Sequence, residues 1–132
     1  MVIITALIVR KRIIVDTLKK TKNLKKMKNS EYILCAAVWY PEIPIKKDIP
    51  DNVRPINCDR GLVFCGFRHC HCMYTMVSVT GLRSVETEVG EIIQGFLTSK
   101  NRFVDRQEGA EIHIGNGHKI DFENRLFSED LY

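Results

Sequence analysis

The sequence has no apolar run long enough to cross a bilayer. Its two longest, Met1–Val9 and Tyr32–Tyr40, hold nine residues each, against the ~20 that a spanning helix needs. Low-complexity tracts and internal repeats are absent, which excludes solenoids and a mainly disordered chain. Cysteine is sparse and odd in number, five in all with no Cys-x-x-Cys pair. That argues against a disulfide framework and for reduced thiols in a cytosolic setting.

Positive charge is also missing where a nucleic-acid binder would need it. The net charge is +4, but residues 1–26 hold eight Lys or Arg against Asp16 alone. The remaining twelve basic groups face fifteen acidic ones, so the rest of the chain is mildly acidic. A basic face on the folded part is therefore not expected, nor is nucleic acid as its partner. The leader puts its apolar residues before Arg10-Lys-Arg12, the reverse of a signal peptide. Residues 13–26 could form a basic amphipathic helix on a membrane or on nucleic acid. The plainer reading is a solvated tail, or translated sequence ahead of a start at Met27. No membrane partner is expected, and a homo-oligomer is left open.

What is present points to one α+β domain over residues 27–132, a small mixed β-sheet of about 3–5 strands with two helices packed on it. Tyr32–Tyr40 reads as a strand buried on both faces. All four prolines fall within residues 41–61, a long loop that is either functional or an insertion. Leu62–Phe67 reads as a second strand. Met73–Thr80 mixes β-branched residues with helical spacing and is assigned to a helix ending near Gly81. Glu91–Thr98 is a third strand and Ser99–Asn101 a turn. Arg102-Phe-Val104 then leads to a helix whose start carries a capping box, Asp105 with Glu108. Gly109 inside that helix costs roughly 1 kcal/mol against alanine.

Two stretches could carry chemistry. Cys65, His69, Cys70, His71 and Cys72 are of the types zinc prefers, but their spacing supplies at most two ligands, with Cys58 or His113 needed to complete a site. The alternative is small hydrophobic cysteines in a core, and no metal or cofactor is expected. A nucleophilic cysteine beside Arg68 and His69 is a third reading, without a surrounding signature. In the other stretch, Arg102 and Arg106 flank a helix start that already favours anions. Either Asp105 and Glu108 compensate them as surface ion pairs, or a phosphate sits among the arginines, the amides and the Thr98 and Ser99 hydroxyls.

Ala36-Ala-Val-Trp-Tyr40, Arg68-His69, Gln94-Gly-Phe-Leu-Thr-Ser99, Arg102-Phe-Val-Asp-Arg106 with Glu108, and Leu126-Phe-Ser-Glu-Asp-Leu-Tyr132, in that order, resemble a family of small tailed-bacteriophage proteins. The resemblance spans residues 31–132 and omits the leader. It departs at Gly109 and His113, where the family favours small helix-forming residues, and at Cys70-His-Cys72. It implies a phage setting, in which small proteins often counter host defence through nucleotide second messengers. The leading expectation is a binder of a small phosphorylated, nucleotide-like ligand, held by Arg68, His69, Thr98, Ser99, Arg102 and Arg106, with Trp39 or Tyr40 available to stack on a base. The enzyme alternative is a phosphodiesterase using catalytic His69 with Glu108 or His71. A third is a protein-binding inhibitor acting through the Ser128–Tyr132 tail.

The charge break at Met27 generates a direct expectation. Deleting residues 1–26 should leave the thermal midpoint within a few degrees, since roughly 1 kcal/mol shifts it ~4–8 °C in a domain of this size. A larger loss in differential scanning calorimetry would place the leader inside the folded core.

Overall fold

Cross-strand pairing organises the chain into a four-stranded sheet of order β2-β1-β3-β4, seen in a computed structural model that describes residues 30–46, 50 and 54–132. The basic leader expected over 1–26 lies outside the described residues. Glu31–Tyr132 forms one compact unit. The strands are β1 (Ile33–Tyr40), β2 (Leu62–Gly66), β3 (Ile93–Thr98) and β4 (Phe103–Asp105). Helices α1 (His69–Thr80), α2 (Glu86–Val89) and α3 (Arg106–Gly115) and a 3-10 turn at Ser128–Asp130 complete it. The α+β class and the two substantial helices are as expected. The sheet is antiparallel throughout rather than mixed.

Ala36 pairs with Phe96 across β1 and β3, so the two side chains share one face, and both long helices cover it. Ala36, Val38 and Tyr40 pack against Cys72 and Met76 of α1. Phe96 and Val104 pack against Ala110 of α3 and against Leu126. The opposite face carries Ala37, Trp39, Val63, Leu97 and Phe103, and Cys58 of the proline-rich segment lies on it. Cys58 thus covers part of that face. Asn57 makes the cover specific. Its side-chain amide donates to the Phe103 carbonyl (2.6 Å) and accepts from the Phe103 amide (2.8 Å), as a neighbouring strand would, which blunts the exposed edge of β4. Trp39 donates its indole N–H to the Arg60 carbonyl at 2.8 Å and Tyr40 is fully buried. Tyr40 is therefore unavailable to stack on a base, whereas Trp39 is only partly buried.

The first helix starts four residues earlier than periodicity suggests. His69, Cys72 and Met76 are its buried positions, a helical i, i+3, i+7 series. The Cys/His cluster therefore sits on a helix and not on a strand, with Cys70 and His71 facing outward. Thr75, Ser78 and Thr80 donate to the carbonyls four residues back, an arrangement that lets hydroxyl-bearing residues occupy helix interiors. Gly81 closes the helix in the left-handed conformation. At α3 the capping box is half formed. Asp105 accepts from the Glu108 amide at 2.8 Å, while the Glu108 carboxylate accepts from Arg102 instead. Phe103–Asp105, expected as a lead-in to the helix, is a strand because its amides and carbonyls pair with β3.

Two close approaches set the layer spacing. A Cβ on Gly109 would lie 3.1 Å from the Phe96 ring and 3.3 Å from Leu126, so the glycine that weakens the helix also lets it seat on β3. A Cβ on Gly95 would meet the Val104 carbonyl oxygen at 2.1 Å and the Phe103 ring at 2.7 Å. The Gly95 carbonyl is 2.7 Å from His69 Nε2. The Arg106 guanidinium approaches His69 Nδ1 at 3.5 Å and can only donate. Nδ1 is thereby the acceptor, and Nε2–H donates to Gly95. Burial holds this imidazole below its ordinary range; the Gly95 bond opposes that, and the Arg106 charge adds to it. Burial and the stacked His118 ring likewise lower His113.

Gly95→Ala should lower stability by roughly 1–3 kcal/mol, the usual cost of overpacking, because backbone must move to admit the methyl; an unchanged urea midpoint would contradict this close approach. Acidification supplies a second expectation. With His69 and His113 held neutral in the fold, the unfolded chain binds more protons below an unfolded pKa of about 6.5. Stability should fall as pH drops from 7 toward 5, until the lowered folded values are passed. Thermal midpoints of His69→Gln should lie lower at pH 7 and decline less steeply on acidification; parallel curves would exclude His69 from the effect.

Candidate functional site

Arg106 is the first residue of α3, and its neighbourhood is built by a return of the chain 20 residues later. The Leu126 amide donates to the Arg106 carbonyl, and Arg106 Nη1 donates to the Leu126 carbonyl, both at 2.9 Å. Nη2 donates to Gln94 Oε1 on β3 at 2.7 Å. The adjoining turn holds Asn124 with φ +63° and a bridge between Phe122 and Arg125. These constraints bring Arg125 beside Arg106.

The two arginines share one ring. The Arg106 guanidinium carbon lies 4.6 Å from the Phe127 centroid and that of Arg125 5.7 Å. Cation–π attraction holds both against the aromatic face. Burial lowers the pKa of Arg106, Arg125 adds to this by like charge, and Glu129 opposes it. Among the described residues, neither guanidinium has a carboxylate within ion-pair distance. They border an open cleft of about 810 Å³ whose lining also includes Gln94, Asp105, Gln107, Glu123 and Asn124. Its polar donors and acceptors come from β3, the start of α3 and the 123–127 turn. Phe122 stands edge-on to Phe127 at 5.3 Å and is 63% exposed.

The six residues expected to hold a ligand are tied into three groups. Arg106 and His69 touch, as described. Arg102 forms a bidentate pair with Glu31 (2.7 and 2.6 Å) and a second bond to Glu108 at 2.8 Å, with Thr98 donating to the same Glu31 carboxylate. Hydrogen bonding to Arg102 holds Glu31 below the ordinary carboxylate range, and the two carboxylates raise Arg102. Ser99 accepts from the Tyr32 amide at 2.9 Å. This second group is an internally neutralised brace: Glu108 takes part as the ion-pair reading of the sequence expected, but Glu31 supplies the bidentate partner and Asp105 caps the helix instead. Arg68 forms the third. Its Nη1 donates to the Ser128 carbonyl at 2.6 Å and Nη2 to that of Tyr132 at 3.3 Å, and it stacks on Phe67 at 4.1 Å. Arg68 thereby pins the chain end. The Ser128–Tyr132 segment is folded against the domain: Ser128 is buried, and Tyr132 stacks on Phe67 at 5.0 Å.

Catalytic pairing of His69 with Glu108 finds little geometric support. Glu108 bonds to Arg102, whereas both ring nitrogens of His69 are engaged elsewhere. Among the described residues, no three His, Cys, Asp or Glu side chains group as a metal site, and no helix is long and apolar enough to cross a membrane. Sequence reasoning missed Arg125, Phe127, Asn124 and Gln107. The available signal was the Leu126-Phe127 pair in the ending, which says nothing of Arg106 until the chain folds back.

No curated protein and no solved structure matches the chain significantly. A family model described as "Phage T4 y16D protein" matches residues 32–132, the compact unit with the leader excluded, and the chain therefore belongs to that bacteriophage protein family.

Proposed function

We propose that the protein binds a small phosphorylated, nucleotide-like ligand in the cleft between Arg106 and Arg125, and that in the infected cell this sequesters a nucleotide signal of host defence. The observation behind this reading is the pair of guanidiniums stacked on Phe127 without carboxylate partners among the described residues. Two like charges facing one open cleft repel each other, and a phosphate between them relieves that repulsion. Gln94, Gln107 and Asn124 offer amide groups for the remaining polar atoms of the ligand. Phe122, exposed and edge-on to Phe127, offers a ring for base stacking in place of the buried Tyr40. Asp105 is already committed to the helix cap, which leaves Glu123 as a carboxylate suited to a ribose or base donor.

Binding is favoured over hydrolysis because His69, the general base of the enzyme alternative, is buried and bonded at both nitrogens. An inhibitor acting through a free Ser128–Tyr132 tail is likewise less favoured, since that segment is pinned by Arg68.

Isothermal titration of the full chain with adenosine mono- and diphosphate and with a cyclic dinucleotide tests the proposal. Loss of one charge-assisted contact costs about 1.5–3 kcal/mol, so Arg125→Ala should weaken binding roughly 10- to 100-fold. Its thermal midpoint should stay within a few degrees, because the side chain is exposed at the cleft. No binding of any of these probes, or equal binding by Arg125→Ala, would refute the reading. Chromatographic appearance of cleaved product, lost in His69→Gln, would establish the phosphodiesterase in its place.

A further inference from the structure

Two of the five cysteines stand together on the sheet face opposite α1 and α3. Ala37 of β1 pairs with Cys65 of β2, and Cys35, two residues before Ala37, projects from the same face. Cys35 and Cys65 are diagonal neighbours across the strands. That register sets the two thiols within reach of one another, with the Cys65 thiol and the Gly66 amide both facing Cys35. The pair is reachable from solvent, with Cys65 exposed and Cys35 half-buried. The other thiols are placed differently. Cys72 is buried on the helical face, bonded to the Ala36 and Arg68 carbonyls, and Cys58 is buried in the cluster beneath the proline-rich segment. Cys70 is exposed on the outer side of α1.

We propose that Cys35 and Cys65 form a peroxide-oxidisable dithiol, with Cys35 as the attacking sulfur and Cys65 as the resolving one. The two donors bring Cys35 down to about 7 against the opposing effect of its burial, so a large share is thiolate at neutral pH, the form that attacks peroxide. Hydrogen bonding to Cys35 pushes Cys65 up, which keeps it protonated until Cys35 has reacted. In the first step the Cys35 thiolate attacks one oxygen of hydrogen peroxide, the O–O bond breaks, and hydroxide leaves and is protonated to water. Cys35 is now a sulfenic acid. Cys65 then loses its proton and attacks the Cys35 sulfur. The S–O bond breaks, and the hydroxyl departs with that proton as a second water. Two thiols and one peroxide become one disulfide and two waters.

Closing the bond needs the strands to draw together slightly, because diagonal Cα atoms lie ~7–8 Å apart and disulfides want 4.4–6.8 Å, as general ranges. The position permits this. The last β1–β2 pair is Ala36 with Gly66, and β1 is irregular between Ile33 and Cys35, so Cys35 lies just past the regular ladder on that side. Transient disulfides of this sort are the kind found in reducing compartments.

Peptide mapping of the full chain tests the proposal without any substitution. After complete reduction, exposure to one equivalent of hydrogen peroxide should lower the intact mass by two hydrogens and yield a linked Cys35–Cys65 peptide pair. Cys65→Ser should trap Cys35 as a sulfenic acid that dimedone captures, and Cys35→Ser should leave Cys65 a thiol. Cys70→Ser should oxidise as the parent does. Formation of any other linked pair, or oxidation of Cys70 while Cys35 and Cys65 remain thiols, would overturn it.

Discussion

The missing side chain at Gly95 is the constraint on which the arrangement rests. Gly95 lies in β3, between β1 and β4, pairing with Ala37 on one side and Asp105 on the other. Where a Cβ would project, the Val104 carbonyl and the Phe103 ring already stand. Its carbonyl oxygen takes the His69 N–H, fastening the start of α1 to the middle of the sheet. Through His69 the same point reaches Arg106 and thus the start of α3. One residue without a side chain therefore lets three elements approach closely, and the buried imidazole between them satisfies a carbonyl and a guanidinium at once.

This explains why the arginines have unequal fates. Arg68, Arg102 and Arg106 are alike in sequence terms, each beside a polar or helix-start motif. In the fold Arg68 is used on main-chain carbonyls of the chain end and Arg102 on two carboxylates. Such pairs brace the structure and leave little charge for a ligand. Arg106 keeps two of its donors on neutral groups, Leu126 and Gln94, and among the described residues it forms no ion pair. Two neighbouring guanidiniums without a paired carboxylate make the cleft around Phe127 a candidate for an anion. The proposed dithiol at Cys35 and Cys65 lies at the edge of the β1–β2 ladder and draws on a different property, the adjacency of two thiols on the sheet face opposite α1 and α3.

Much of the fold was legible in the residues because it follows from local chemistry. The nine-residue apolar run Tyr32–Tyr40 yields β1, Gly81 stops α1, the Ser99–Asn101 turn follows β3, and Asp105 caps α3. The errors have a shared physical origin. His69-Cys-His-Cys72 carries too few residues to display a period alone, and only packing against Ala36 and Gly95 declares it helical. Phe103–Asp105 is short, and strand pairing with a distant segment decides it. Proline density marked residues 41–61 as irregular, but not that Cys58 and Asn57 would cover part of a face and an edge of the sheet.

The order of its motifs carried a resemblance to phage proteins over residues 31–132, while composition, periodicity and caps by themselves determined the α+β class, the break between a basic leader and an acidic remainder, and the position of most elements. Those properties depend on neighbours within a few positions, where covalent connection sets the distance. The tertiary structure alone decided that Arg125 stands with Arg106, that Arg102 is neutralised by Glu31, and that Cys35 stands near Cys65. Each partner lies 19 to 71 positions away along the chain, and a side chain's charge or thiol is indifferent to such a partner until hydrogen-bonded strands and buried apolar surface hold the two together.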